Sequence, residues 1–115
     1  MAIFTKPTSR SYSRLTVEAM ALLGKMIRLA RIEQKITSIE LAERAGISRG
    51  LLQRIEKGDL KCEIGAVFEV ATLLGVPLFD ETPSNLSAHM KRVDERLTLL
   101  PKYARAPQPE VKDDF

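Results

Sequence analysis

The stretch Thr37–Gly58, with the sequence TSIELAERAGISRGLLQRIEKG, predicts two short helices joined by a tight turn. Thr37 can cap the first helix, and Glu40, three residues later, can bond back to the Thr37 amide as in a capping box. Gly46 falls where a backbone with positive φ is needed to end that helix. Ser48 then supplies a second N-cap, and the next helix is predicted to run from there to about Lys57, before Gly58 and Asp59 break it.

Both helices divide into an inner apolar face and an outer polar face. The inward residues recur at the three- and four-residue spacing of a helix, and they are Ile39, Leu41, Ala42, Ala45, Leu52 and Ile55. On the outer face of the second helix, Arg49 and Arg54 can each pair bidentately with the O6 and N7 atoms of guanine. When two helices joined by a tight turn bind DNA, residues near the start of the second helix reach base edges in the major groove. The predicted base-reading residues are Arg49, Gly50, Leu51, Gln53 and Arg54.

Contacts with the DNA backbone are predicted around this outer face, because cations and hydroxyl groups both bind phosphate oxygens. The candidates are Lys25, Arg28, Thr37, Ser38, Ser48 and Lys57. The charge distribution agrees with this prediction. Residues 1–60 carry eleven Lys/Arg and six Asp/Glu, a balance of +5, whereas residues 61–115 carry seven and nine, a balance of −2. The basic half of the chain therefore contains the candidate DNA-reading unit.

Two further helices are predicted to flank this stretch. The helix before it has a positive side made of Lys25, Arg28, Arg31 and Lys35, opposite an apolar row made of Val17, Met20, Leu23, Ile27 and Ala30. The helix after it has apolar residues at three- and four-residue spacing, and they are Ile64, Val67, Ala71 and Leu74. Gly75 ends that helix, so the sequence predicts four helices around one core.

The stretch resembles the Cro/lambda-repressor-like helix-turn-helix family, often called XRE. That family has the motif T-x-x-E-L-A-x-x-x-G-[IV]-S-x-x-x-[LI]-x-[RK]-[IL]-E-x-G. The matching residues are Thr37, Glu40, Leu41, Ala42, Gly46, Ile47, Ser48, Leu52, Arg54, Ile55, Glu56 and Gly58. The chain departs from the family at Ser38, where a glutamine is common, and at Gly50, where a polar base-reading residue is common. The resemblance implies a sequence-specific DNA-binding transcriptional repressor.

The chain is predicted to be all-α: a compact four- to five-helix lambda-repressor-like domain with an extra C-terminal helix and an extended tail. Four segments are expected. Residues 1–14 form a flexible basic arm, residues 15–80 the DNA-binding domain, residues 84–100 the C-terminal helix, and residues 101–115 an extended or disordered tail.

The C-terminal helix carries a heptad-like seam. Its apolar residues are spaced four, three, four and three, and they are Leu86, Met90, Val93, Leu97 and Leu100. Two heptads are too few for a stable free coiled coil. The seam either folds onto the core of its own domain or pairs with a second copy across a two-fold axis. The second interpretation makes these residues dimerisation candidates, because helix-turn-helix proteins bind palindromic half-sites as dimers.

The segments around the motif narrow the resemblance. Together with the motif, a leading helix with the sequence LLGKMIRLAR (residues 22–31), a loop that contains Gly58-Asp59, and a tail built on LPK (100–102) and ending in DDF (113–115) are similar to HipB-type antitoxins. That resemblance implies a homodimer that represses its own operon and holds a HipA-like serine/threonine kinase toxin in an inactive complex. Tyr103 and Phe115 are possible anchors for such a partner.

Catalysis, metal binding and cofactor binding are not expected. His89, the single histidine, has no nucleophile or carboxylate constellation around it in the sequence, and no metal-ligand spacing or Gly-rich phosphate loop occurs. Cys62 is the single cysteine of the chain, which excludes an internal disulfide. It is interpreted as an inert cysteine rather than as a redox sensor. No apolar run approaches the roughly 18 residues of a membrane span. The expected location is the cytoplasm.

Three functional hypotheses follow from the sequence. The first is the dimeric antitoxin and autorepressor. The second is a stand-alone regulator of the same family that has no toxin partner. The third is a protein-interaction module whose helix-turn-helix no longer binds DNA.

Overall fold

A computed structural model of the protein describes residues 11–79 and 82–101, and this part of the chain is helical without strands. The helices are α1 (Arg14–Glu33), α2 (Ser38–Ala45), α3 (Arg49–Glu56), α4 (Ile64–Leu74) and α5 (Pro83–Leu99). The predicted all-α fold is confirmed. The chain divides into two compact units, of which the first ends at Leu78 and the second begins at Phe79. No helix among the described residues is long and apolar enough to cross a membrane.

The helix ends follow the local signals of the sequence. Thr37 Oγ1 accepts a hydrogen bond from the Glu40 amide at 3.1 Å, and Ser48 Oγ accepts one from the Leu51 amide at 3.0 Å. Gly46 adopts φ 70°, which ends α2 in the left-handed region that favours glycine. The reciprocal half of the capping box was predicted wrongly, because the Glu40 carboxylate instead bonds Arg44 Nη2 at 2.6 Å, one turn further along.

Several predicted boundaries shift by a few residues. Helix α1 begins at Arg14, and Ser13 caps it, so the predicted basic arm cannot extend through Arg14. Lys35 lies beyond the end of α1 rather than on its positive side. Helix α5 begins at Pro83, because proline suits the first position of a helix, where no intrahelical N–H bond is needed. The predictions for residues 1–10 and 102–115 lie outside the described residues.

The core of the first unit is formed by α1–α4. Its buried apolar residues are Ile27, Leu41, Ala42, Leu52, Ile55, Val67, Val70, Ala71 and Leu74. Three residues that were predicted to face inward are exposed: Ile39 to 50%, Val17 to 44% and Ile64 to 73%. Ile39 lies roughly 110° around α2 from the centre of the arc formed by the buried residues Leu41 and Ala42. Val17 and Ile64 lie in the first turns of α1 and α4.

A second apolar row of α1 is exposed and was not predicted. Its members follow the spacing four, three, four and three, and they are Leu15, Ala19, Leu22, Met26 and Leu29. Their larger side chains are exposed to between 40% and 77%. Because the core takes a different arc of the same helix, α1 presents this row to the surroundings. We call these five residues the α1 seam.

Helices α1 and α3 approach each other closely at the end of α3. Gly24 is buried there, and a Cβ atom on it would lie 2.6 Å from the carbonyl oxygens of both Ile55 and Glu56. Arg31 then ties the two helices by a bidentate ion pair, with Nε to Glu56 Oε2 at 2.7 Å and Nη2 to Oε1 at 3.1 Å. Its Nη1 donates to the Ile36 carbonyl at 3.1 Å, which also fixes the start of the loop before α2. The position of α3 is therefore set by backbone contact and by charge.

We expect the substitution Gly24→Ala to lower the free energy of unfolding by about 1–3 kcal/mol, because the new methyl group meets backbone that cannot move aside. Gly65→Ala on α4 is the matched control, since its Cβ would meet nothing within 4 Å. That control should leave stability unchanged or raise it by up to about 1 kcal/mol. Urea unfolding of the two variants measures the difference, and equal midpoints would contradict the close approach.

Candidate nucleic-acid interface

The outer face of α3 brings most of the predicted base-reading residues together. Leu52 and Ile55 are buried on the inner side of the helix. The helical period places the remaining polar positions on the opposite arc, where Arg49, Gly50, Gln53, Arg54 and Lys57 are all exposed. The pattern of the sequence and the burial in the structure thus agree on which side of α3 is available to a ligand.

Leu51 lies at the border between the two faces. It is half-buried and packs against the core, yet it also lines a groove beside the outer face. Its predicted place among the base-reading residues therefore rests on one exposed edge, which suits an apolar contact such as a thymine methyl group.

An open groove of about 480 Å³ lies along this face. It is lined by Ser48, Gly50, Leu51, Arg54, Lys61 and Glu63. Gly50 leaves the groove open, since a Cβ atom there would meet only Ser48 Oγ, at 3.9 Å. Sequence reasoning did not include Lys61 and Glu63, which follow α3 in the loop. Their place in the sequence, as charged residues directly after the motif, could have indicated that they line the interface.

Arg54 is held by a residue that the sequence analysis overlooked as a site residue. Its Nε donates to Asp59 Oδ2 at 2.8 Å, and the other oxygen, Oδ1, accepts the Lys61 amide at 2.8 Å. These bonds hold the pKa of the Asp59 carboxyl below its usual range, with Arg54 as the larger cause. The same hydrogen bond to Asp59 raises the pKa of Arg54, so both groups are charged at neutral pH.

Two of the residues predicted to contact the DNA backbone already form hydrogen bonds within the protein. Thr37 and Ser48 use their hydroxyl oxygens as caps, which places them at the N-termini of α2 and α3, where backbone amides favour phosphate. Ser38 is half-buried in the first turn of α2. These three residues lie at the two helix starts that a phosphate can approach.

The cationic candidates separate into free and engaged side chains. Lys25, Arg28 and Lys57 are exposed, and within the described part of the chain none of them forms an ion pair. Arg31 was expected on the same positive side, but only 14% of its side chain is exposed and Glu56 neutralises it. The interpretation of Arg31 as part of a free basic face was wrong, because the α1–α3 contact uses it.

Cys62 lies beside this interface and is half-buried. Burial raises the pKa of its thiol, and the nearby Asp59 carboxylate adds to the effect. The thiol is therefore protonated at neutral pH, which supports the interpretation of Cys62 as inert.

Comparison with known families agrees with this geometry. A family model described as helix-turn-helix matches residues 27–80, a range that includes α2, the turn, α3 and α4. No match was found among curated proteins. Residues 27–80 therefore match a helix-turn-helix domain, and this match supports the resemblance to the XRE family and the role of a DNA-binding transcriptional regulator.

Proposed function

We propose that this regulator binds a palindromic operator as a homodimer and is the antitoxin of a HipA-like serine/threonine kinase, whose operon it represses. The first unit supplies the DNA-reading face. The homodimer part of the proposal rests on one observation, the exposed apolar seam of α5. We assign no catalytic step to this chain.

The seam of α5 is a row of exposed apolar residues. The helix has no buried residue, and its five seam residues are exposed to between 42% and 61%. These residues are Leu86, Met90, Val93, Leu97 and Leu100. Exposed apolar rows of this kind mark contacts with other chains. The spacing of four and three is that of two helices packed side by side, which suits a second copy of α5.

A homodimer matches the chemistry of DNA recognition. Two copies related by a two-fold axis present two outer faces of α3 to successive major grooves, about 34–36 Å apart. Each copy then reads one half-site, and the symmetry of the protein requires a palindromic operator. A seam of two heptads is short for a coiled coil, and the dimer that it forms is expected to be weak. Because the operator binds the dimer, operator binding stabilises the dimer relative to the monomer.

The kinase partner is supported by two features beyond dimerisation. The α1 seam is a second exposed apolar row, in the first unit, and it is available to a partner of a different kind. The C-terminal segments LPK (100–102) and DDF (113–115) resemble the tails of HipB-type antitoxins. A repressor that also restrains an enzyme needs both a DNA-reading face and a separate protein-binding surface.

We expect Val93→Asp to convert the dimer to a monomer, because it places one charge in the middle of the α5 seam. Ala88→Asp adds the same charge on the opposite side of α5 and is the matched control. Sedimentation equilibrium of the two variants and the parent chain measures the change. A parent chain that is monomeric, or a Val93→Asp variant that dimerises like the control, would contradict the dimer.

The antitoxin role predicts that the chain co-purifies with a kinase encoded beside it in the native operon. Deletion of residues 101–115 should leave operator binding intact and weaken kinase binding and neutralisation, since the tail lies outside the DNA-reading unit. Pull-down and growth rescue measure the two effects. A neighbouring gene that encodes no kinase would favour the stand-alone regulator, and unchanged neutralisation would exclude the tail as an essential contact.

A further inference from the structure

We propose that Asp59 is a positioning residue for DNA readout: it orients Arg54 for a guanine base and prevents Arg54 from acting as a general phosphate contact. The inference deepens the DNA-binding role of the first unit and rests on that part of the proposed function. It requires neither the kinase nor a particular dimer interface.

The loop after α3 folds back onto Arg54 through two hydrogen bonds, one between backbone groups and one between side chains. The Asp59 amide donates to the Arg54 carbonyl at 3.0 Å, and the Asp59 carboxylate accepts from Arg54 Nε at 2.8 Å. Gly58 makes this return possible with φ 77°. The second carboxylate oxygen is fixed by the Lys61 amide at 2.8 Å. Asp59 is thus anchored to backbone on both sides of the bond that it makes with the arginine.

The bond to Asp59 uses the donor of Arg54 that guanine recognition does not need. A guanidinium has five N–H donors, and a bidentate contact to guanine O6 and N7 uses two of them. Because Asp59 engages Nε, the terminal nitrogens Nη1 and Nη2 keep their four N–H groups. Half of the Arg54 side chain is exposed, so these groups are accessible to a ligand. The arginine is held in one orientation before DNA arrives, which reduces the entropy lost on binding.

The surroundings of Arg54 leave room for a base edge. Gly50 removes a side chain from the neighbouring position, and the open groove of about 480 Å³ begins there. The departure of Gly50 from the family motif is thereby explained in part. It contributes no hydrogen bond, but it lets the edge of a base pair approach a long, already oriented arginine.

The charge of Asp59 affects specific and nonspecific binding in opposite directions. A carboxylate beside Arg54 cancels its attraction for phosphates in general, so it weakens binding to any duplex. The Asp59 carboxylate favours the one orientation in which the Arg54 guanidinium can also form hydrogen bonds with a base. Loss of the carboxylate should therefore strengthen nonspecific binding and relax base discrimination. If Asp59 only supported the fold, its loss would lower both nonspecific binding and base discrimination.

The test compares Asp59→Asn with three other variants on the full chain. The preferred duplex is first selected from a randomised library, and Arg54→Ala identifies the base-pair position that Arg54 reads. Asp59→Asn keeps one oxygen for the Lys61 amide, and it removes both the negative charge and the oxygen that accepts the hydrogen bond from Arg54 Nε. Glu63→Gln is the matched control, because it removes the same charge from the same groove without a bond to Arg54. Arg49→Ala should relax a different position.

We expect Asp59→Asn to reduce discrimination about 10-fold at the Arg54 position alone, where that position prefers guanine. Its nonspecific affinity should rise, and the slope of log K against log salt should steepen by about one. Glu63→Gln should raise nonspecific affinity and leave discrimination unchanged. Thermal unfolding of each variant shows whether the fold is intact.

Three results would overturn the inference. They are full discrimination by Asp59→Asn at the position that Arg54→Ala relaxes, a loss spread over all positions together with a lower melting temperature, and a preference at that position for a base other than guanine. A parent chain with no sequence preference would overturn the proposed operator binding as well. The two failures are therefore distinguishable.

Discussion

The ion pair between Arg31 and Glu56 is the interaction on which the DNA-reading face depends. It joins α1 to the last residue of α3 where the Gly24 backbone leaves no space for a side chain. Only 14% of the Arg31 side chain and 8% of the Glu56 side chain are exposed. Removal of one partner from such a buried pair typically costs about 3–5 kcal/mol, because a desolvated charge remains. With its inner side and its end fixed in this way, α3 presents a rigid outer face.

The partners of three arginines, rather than their positions in the sequence, decide what each one does. Arg31 is neutralised by Glu56 and holds two helices together. Arg54 is tied to Asp59 by one nitrogen and keeps the rest of its donors. Arg49 forms no ion pair within the described residues and is available to phosphate or base. Acidic residues therefore divide a basic surface into a structural part, an oriented part and a free part.

Local chemistry made much of the fold predictable. The caps at Thr37 and Ser48 and the glycine at position 46 act within a few residues, so their pattern in the sequence is sufficient. The predictions for Arg31 and Ile39 were wrong because tertiary contact selects which arc of a helix is covered. Asp59 was overlooked because it reaches Arg54 across a turn, at a separation of five residues, which no helix-face pattern describes.

The central claim is that the outer face of α3 binds duplex DNA while its inner face stays locked to α1. The most direct measurement is an NMR titration of the isotope-labelled chain with its preferred duplex, read at each backbone amide. The account predicts the largest shift changes in residues 48–54 and at the start of α2, with small changes at Ile55 and Val70 in the core. Changes confined to α4 or α5, with residues 48–54 unaffected, would contradict it.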